Sequence, residues 1–130
     1  MTVTAESEAF KQIFTKWENA LNKGDAAALA SLFTPDGTIT YPDARPPSVG
    51  REAVRTDTAA MFARETARGA TISQPVFEVH GDWAQVLADF RATWTSRGSS
   101  FQEHSRYFMV VRRQPDGSWL LARFTFFPLP

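Results

Sequence analysis

The sequence predicts an α+β fold, helices first and an antiparallel sheet afterwards, on three observations. Before residue 70 apolar residues recur at spacings of three and four, beyond it they alternate, and turn-forming pairs separate the alternating runs. A chain of 130 residues can bury about two-thirds of its unfolded surface around one core. One domain over residues 1–130 is therefore expected.

Phe10, Ile13, Phe14, Trp17 and Leu21 form one helical stripe over about residues 5–22. Gly24 stops that helix, and Asp25 caps a short second one carrying Leu29, Leu32 and Phe33. Thr34-Pro35-Asp36-Gly37 reads as a turn, followed by a brief strand to Tyr41. Residues 42–50 hold three prolines and read as a loop able to rim a site. A third helix from about Arg51 to Ala67 buries Val54, Met61 and Phe62, and Gly69 ends it. Thr71–Val79, Ala84–Thr95, Ser100–Arg112 and Trp119–Phe127 are rich in β-branched and aromatic residues and form a meander. Gly81-Asp82, Arg97-Gly98-Ser99 and Asp116-Gly117 mark its hairpins.

Fourteen lysines and arginines balance fourteen aspartates and glutamates, so the summed field steers the chain toward neither nucleic acid nor an acidic membrane face. The absence of cysteine excludes disulfides, thiolate nucleophiles and thiolate zinc sites. A polar N-terminus and the lack of an apolar run near ~20 residues point to a cytoplasmic protein. Two histidines far apart, with no carboxylate at ligand spacing, give no support for a metal, and no cofactor is expected. Eleven phenylalanines and four tryptophans, mostly after Phe77, either fill an aromatic core or line a cavity for a small apolar molecule.

The segment Lys16-Trp-Glu-Asn-Ala-Leu-Asn-Lys-Gly-Asp-Ala-Ala-Ala-Leu-Ala-Ser-Leu-Phe-Thr-Pro-Asp-Gly-Thr-Ile-Thr-Tyr-Pro resembles the opening of the nuclear transport factor 2-like superfamily, which includes ketosteroid isomerases and SnoaL-like polyketide cyclases. Val49-Gly50-Arg51-Glu52-Ala53-Val54 and Asp116-Gly117-Ser118-Trp119 extend the resemblance over nearly the whole chain. It implies a cone-shaped α+β barrel in which three N-terminal helices close a strongly curved, mainly antiparallel sheet. It also implies a homodimer. Function is less specified, because the superfamily spans isomerases, dehydratases, epoxide hydrolases, cyclases, oligomerisation domains and proteins without chemistry. The isomerase base would fall at Tyr41, before Pro42, the oxyanion tyrosine at Trp17, and the partner acid at Phe108. A phenol is a poor base at neutral pH and an indole only donates, so steroid-type isomerisation is not expected. Epoxide hydrolases of the superfamily need an aspartate two residues after the arginine, and Phe108 stands there.

Alternation directs Ala84, Val86, Ala88, Phe90, Ala92 and Trp94 inward, and Leu120, Ala122, Phe124 and Phe126 likewise on the last strand. Between them, the resemblance directs His104, Arg106, Phe108 and Val110 inward, although Tyr107, Met109 and Val111 make the opposite face apolar too. On that assignment His104 is the general acid or base, while Tyr41 and Arg106 polarise a substrate oxygen. Trp17, Asp43, Phe90, Trp94, Phe108, Phe124 and Phe126 would contact substrate. Arg106 needs an acceptor, either substrate oxygen or one of Asp43, Glu103 and Asp89. The expected function is a cofactor-independent isomerase, cyclase or dehydratase acting on a hydrophobic carbonyl or polyketide-like compound. The alternatives are a ligand-binding accessory protein and an oligomerisation domain using the open sheet face around Trp83 and Leu87.

Overall fold

The structure is a computed structural model that describes residues 5–130; residues 1–4, included in the one-domain expectation, lie outside the described residues. Helix α1 spans Ala5–Lys23 and α2 spans Ala26–Ala30. Strands β1 (Phe33–Thr40) and β2 (Ser48–Val49) precede helix α3 (Arg51–Ala63). Strands β3 (Thr66–His80), β4 (Trp83–Ser96), β5 (Ser99–Arg113) and β6 (Trp119–Pro128) complete the chain. They make one six-stranded sheet in the order β2-β1-β6-β5-β4-β3. All neighbours are antiparallel except β1 and β6, which run parallel. The helices close the concave side of the sheet, as the α+β cone requires.

Local chemistry accounts for the breaks. Asp25 Oδ1 accepts the Ala28 amide at 3.0 Å and starts α2, as expected. Phe33 leaves the helix and enters β1, where its carbonyl takes two bonds from Arg51 at 2.9 and 2.6 Å. The Thr34–Gly37 turn lies inside β1, whose register on β6 shifts between Phe33 and Thr38. Gly37 is needed there because a Cβ would stand 2.9 Å from both the Leu121 carbonyl oxygen and the Phe33 ring. Helix α3 ends at Ala63, short of the expected Ala67, and Gly69 belongs to β3. The chain there is captured as an edge strand. Asn22 and Glu18 of α1 accept the Ala70 and Ile72 amides at 2.9 and 2.7 Å, satisfying donors that β3 offers to no further strand.

The core sits between α1 and the concave sheet face. Phe10 packs on Phe77 and Trp119 at ring separations of 5.1 and 5.2 Å, and Trp17 on Phe124 at 4.8 Å. Val54 and Phe62 seat α3 on this core, with Met61 partly buried beside them.

The β4 alternation holds where burial is deepest: Ala84, Val86, Ala88 and Phe90 are all buried. On β5 the expected face is reversed. Ser105, Tyr107, Met109 and Val111 are buried, and His104, Arg106, Phe108 and Val110 are on the convex face. The cause is the β4–β5 hairpin. Arg97 and Gly98 both take positive φ, 52° and 79°, and form a two-residue turn that pairs Ser96 with Ser99. Even β4 residues then stand opposite odd β5 residues, Ala88 to Tyr107 and Val86 to Met109. Counting Ser99 into the turn moves the register by one and flips every β5 side chain. A register shift of β6 against Val110 and Val111 corrects β6 as well: Leu121 is fully buried and Leu120 only partly, while Phe124 keeps its inward place.

Candidate functional site

A cavity of about 610 Å³ opens between the helices and the concave sheet face. Trp17 of α1, Phe90 and Trp94 of β4, Tyr107 of β5 and Phe124 and Phe126 of β6 supply aromatic walls. The rings are mutually fixed. Phe90 stacks on Tyr107 at 4.4 Å, Phe124 meets Tyr107 edge-on at 4.6 Å, and Trp17 lies 5.9 Å from Tyr107. Such a volume and lining suit a small, largely apolar molecule held by few polar groups.

Of the residues expected from the sequence, Trp17, Tyr41, Phe90, Trp94, Phe124 and Phe126 border this cavity. Four do not. His104 and Arg106 lie on the convex face beside Asp89, with Nε2 3.7 Å and Nε 3.3 Å from its carboxylate oxygens. Asp89, one of the three acceptors considered for Arg106, thus serves it away from the cavity. Phe108 is on that same face, opposite Leu87 and Thr125. Asp43 is exposed and engages Arg45 at 3.1 Å, which holds its carboxyl below the usual range. The first three corrections share one cause, the two-residue turn; Asp43 fails because it satisfies its own loop.

Sequence reasoning missed several polar groups that border the cavity. Tyr107 is one. Burial pushes its phenol well above the ordinary value, the Glu103 charge adds to this, and the nearby Trp17 indole opposes it. It is therefore a neutral donor at physiological pH. Trp17 Nε1, though buried, makes no hydrogen bond of acceptable geometry to any described residue. Glu103 borders the cavity on β5 and accepts the Ser105 hydroxyl at 2.7 Å.

Glu65 and Arg68 stand where α3 passes into β3 and border the cavity too. Arg68 donates to the Phe62 and Glu65 carbonyls at 2.9 and 2.8 Å, and its Nε lies 3.8 Å from Glu65 Oε1. Burial raises the proton affinity of Glu65; Arg68 and then Arg64 oppose this, and Glu103 adds weakly to it. At the mouth, Tyr41 contacts Ser48 at 2.7 Å and Ser48 donates to Asp57 at 2.7 Å, with Tyr41 and Asp57 both bordering the cavity.

The register signal for Tyr107 and Glu103 was present in Arg97-Gly98. Glu65, Arg68 and Asp57 carried none, since a charged residue on a helix flank reads as solvated until the sheet it faces is in place. Among the described residues no three of His, Asp and Glu gather as a metal requires, and no helix is long and apolar enough to cross a membrane.

Comparison with solved structures bears on this geometry. A ketosteroid isomerase-like protein from Erwinia carotovora atroseptica superposes with a TM-score of 0.83 at 22% identity, covering 98% of this chain and 99% of that one. A candidate scytalone dehydratase from Novosphingobium aromaticivorans gives 0.86 at 19% identity, with 96% and 85% covered. A protein from Catenulispora acidiphila, solved in complex with S-DNPA, gives 0.82 at 22% identity, with 95% and 93% covered. At these identities the likeness is one of fold. No curated protein matches by sequence. The SnoaL-like domain matches residues 3–125, which is nearly all of the sequence. On that match the chain belongs to the SnoaL-like domain family.

Proposed function

We propose that this chain is a cofactor-independent proton-transfer enzyme, of isomerase, cyclase or dehydratase type, acting on a hydrophobic carbonyl or polyketide-like compound. The observation that carries this reading is that two carboxyl side chains, Glu65 and Glu103, border one aromatic cavity together with the neutral phenol of Tyr107. Their environments differ. Glu65 leans toward its protonated form because burial disfavours its charge. Two carboxyls bordering one cavity, one with its proton affinity raised by burial, can act as acid and base in one site.

In this reading Tyr107 donates a hydrogen bond to the substrate carbonyl oxygen and stabilises charge as it develops there. Glu103 removes a proton from the adjacent carbon, and Glu65 returns one to carbon or to a departing hydroxyl. The aromatic walls exclude water and so strengthen each of these interactions. Tyr41 and Trp17 complete the polar contacts, and a homodimer in the cytoplasm is the expected working form. Trp83, Leu87, Phe108 and Phe127 of the convex face would supply its contact; a monomeric mass at micromolar concentration contradicts that part.

A probe reaction tests the chemistry without knowledge of the natural substrate. In 5-nitrobenzisoxazole a base takes the ring C–H proton, the electron pair closes the nitrile, and the N–O bond breaks to release a coloured phenolate. The protein should accelerate this with saturation, and Glu103→Gln should lower the rate by about 100-fold. Saturable binding without acceleration would turn the reading toward a ligand-binding accessory protein. An unchanged rate in Glu103→Gln would remove that side chain from the chemistry.

A further inference from the structure

The Tyr41–Ser48–Asp57 chain has a fixed polarity. Ser48 has one hydroxyl proton, and it is donated to Asp57 Oδ2 at 2.7 Å. The 2.7 Å contact of Tyr41 Oη with Ser48 Oγ therefore has Tyr41 as its donor. That commits the only proton of the Tyr41 phenol, so its oxygen can offer a ligand nothing but a lone pair. An ionised Asp57 is also an acceptor only.

The surroundings hold this arrangement. Ser48 is 1% exposed and paired in β2 with Ile39. The Tyr41 ring has the Arg45 guanidinium 4.2 Å above it and Phe126 edge-on at 6.3 Å. Deeper in, the polarity is opposite. Tyr107 is a neutral phenol, and the nearby Trp17 indole can only donate and so takes up no proton from it, which leaves the Tyr107 hydroxyl proton available to the cavity. Tyr41 Oη thus presents an acceptor and the Tyr107 hydroxyl a donor to the same cavity.

We propose that this polarity selects the ligand: a hydroxyl group, alcoholic, phenolic or enolic, donates to Tyr41 Oη at the mouth while an oxygen acceptor meets Tyr107. The compound is then a hydroxylated carbonyl rather than a plain ketone. The carbonyl end rests on the function proposed above, whereas the hydroxyl end needs no turnover.

A matched pair of bicyclic probes, 4-hydroxy-1-tetralone and 4-methoxy-1-tetralone, tests it by titration of tryptophan fluorescence, with Trp17 and Trp94 as reporters in the wall. Both carry the carbonyl, but only the hydroxyl can donate; the ether oxygen only accepts. The wild-type protein should bind the hydroxyl compound about five- to tenfold more tightly, the worth of one net hydrogen bond. Ser48→Ala releases the Tyr41 proton toward the cavity, where it can meet the ether oxygen, and the preference should fall to about one or favour the ether. Asp57→Asn, whose amide can donate to Ser48, should erode it likewise, with thermal midpoints confirming that both variants fold. Equal binding of the pair by the wild type, or an unaltered preference in Ser48→Ala, overturns the inference. Failure to bind either probe while the benzisoxazole reaction persists also overturns it and leaves the enzyme reading standing. Loss of both binding and reaction sinks the cavity reading itself.

Discussion

The two faces of β5 carry residues that look interchangeable in sequence and play opposite parts in the fold. On the concave face, Glu103, Ser105, Tyr107, Met109 and Val111 meet the core and the cavity. The convex face has His104, Arg106, Phe108 and Val110, all partly exposed, with Asp89 between the imidazole and the guanidinium. Both faces offer apolar side chains and titratable groups, so composition alone decides nothing between them. What decides is one residue of loop length at Arg97-Gly98, transmitted along the ladder. A histidine and an arginine attract attention as catalysts. Here they lie beside an aspartate on the open face, and a tyrosine and a glutamate border the cavity.

The contrast breaks most readily through stability. Met109 is 2% exposed and enclosed by the core, so Met109→Ala should cost about 2–5 kcal/mol. Phe108→Ala, one residue away on the convex face, should cost about 1 kcal/mol. Urea denaturation of the two variants measures this directly; equal losses would mean that β5 does not present the faces described. A smaller effect sharpens the electrostatic side. Burial raises the folded-state proton affinity of Glu65, so the folded protein keeps that proton at pH values where the unfolded chain has released it. The corresponding stability is present below the ordinary glutamate value of 4.5 and is lost as pH rises through the raised one. Urea midpoints of wild type should fall across that window relative to those of Glu65→Gln. Parallel profiles would show that Glu65 is not desolvated.

Much of the architecture was legible because several local signals agreed. The stripe from Phe10 to Leu21, the Asp25 cap and the β-rich second half each fixed an element, and together with the opening motif they gave the cone. The aromatic lining followed where alternation was unambiguous, as at Phe90, Trp94, Phe124 and Phe126. It failed on β5 because both faces are apolar, which removes the information that alternation normally carries. The end of α3 was misplaced for a different reason: residues beyond Ala63 suit a helix, but pairing with β4 captures Thr66 and Gly69 as strand. Tertiary pairing there overrides local propensity. Asp43 illustrates a further limit, since a loop aspartate beside an arginine satisfies itself before it can serve a site. The Ser48–Asp57 contact joins residues on two elements, and no spacing rule announces it.

The central claim is that the working face of β5 is the one bearing Tyr107. Titration of tryptophan fluorescence with 1-tetralone, in Tyr107→Phe and in His104→Ala, tests it most directly. Tyr107→Phe should weaken binding by about tenfold through loss of one hydrogen bond in a buried site. His104→Ala should bind as the wild type does. Weakened binding in His104→Ala with none in Tyr107→Phe would contradict the account.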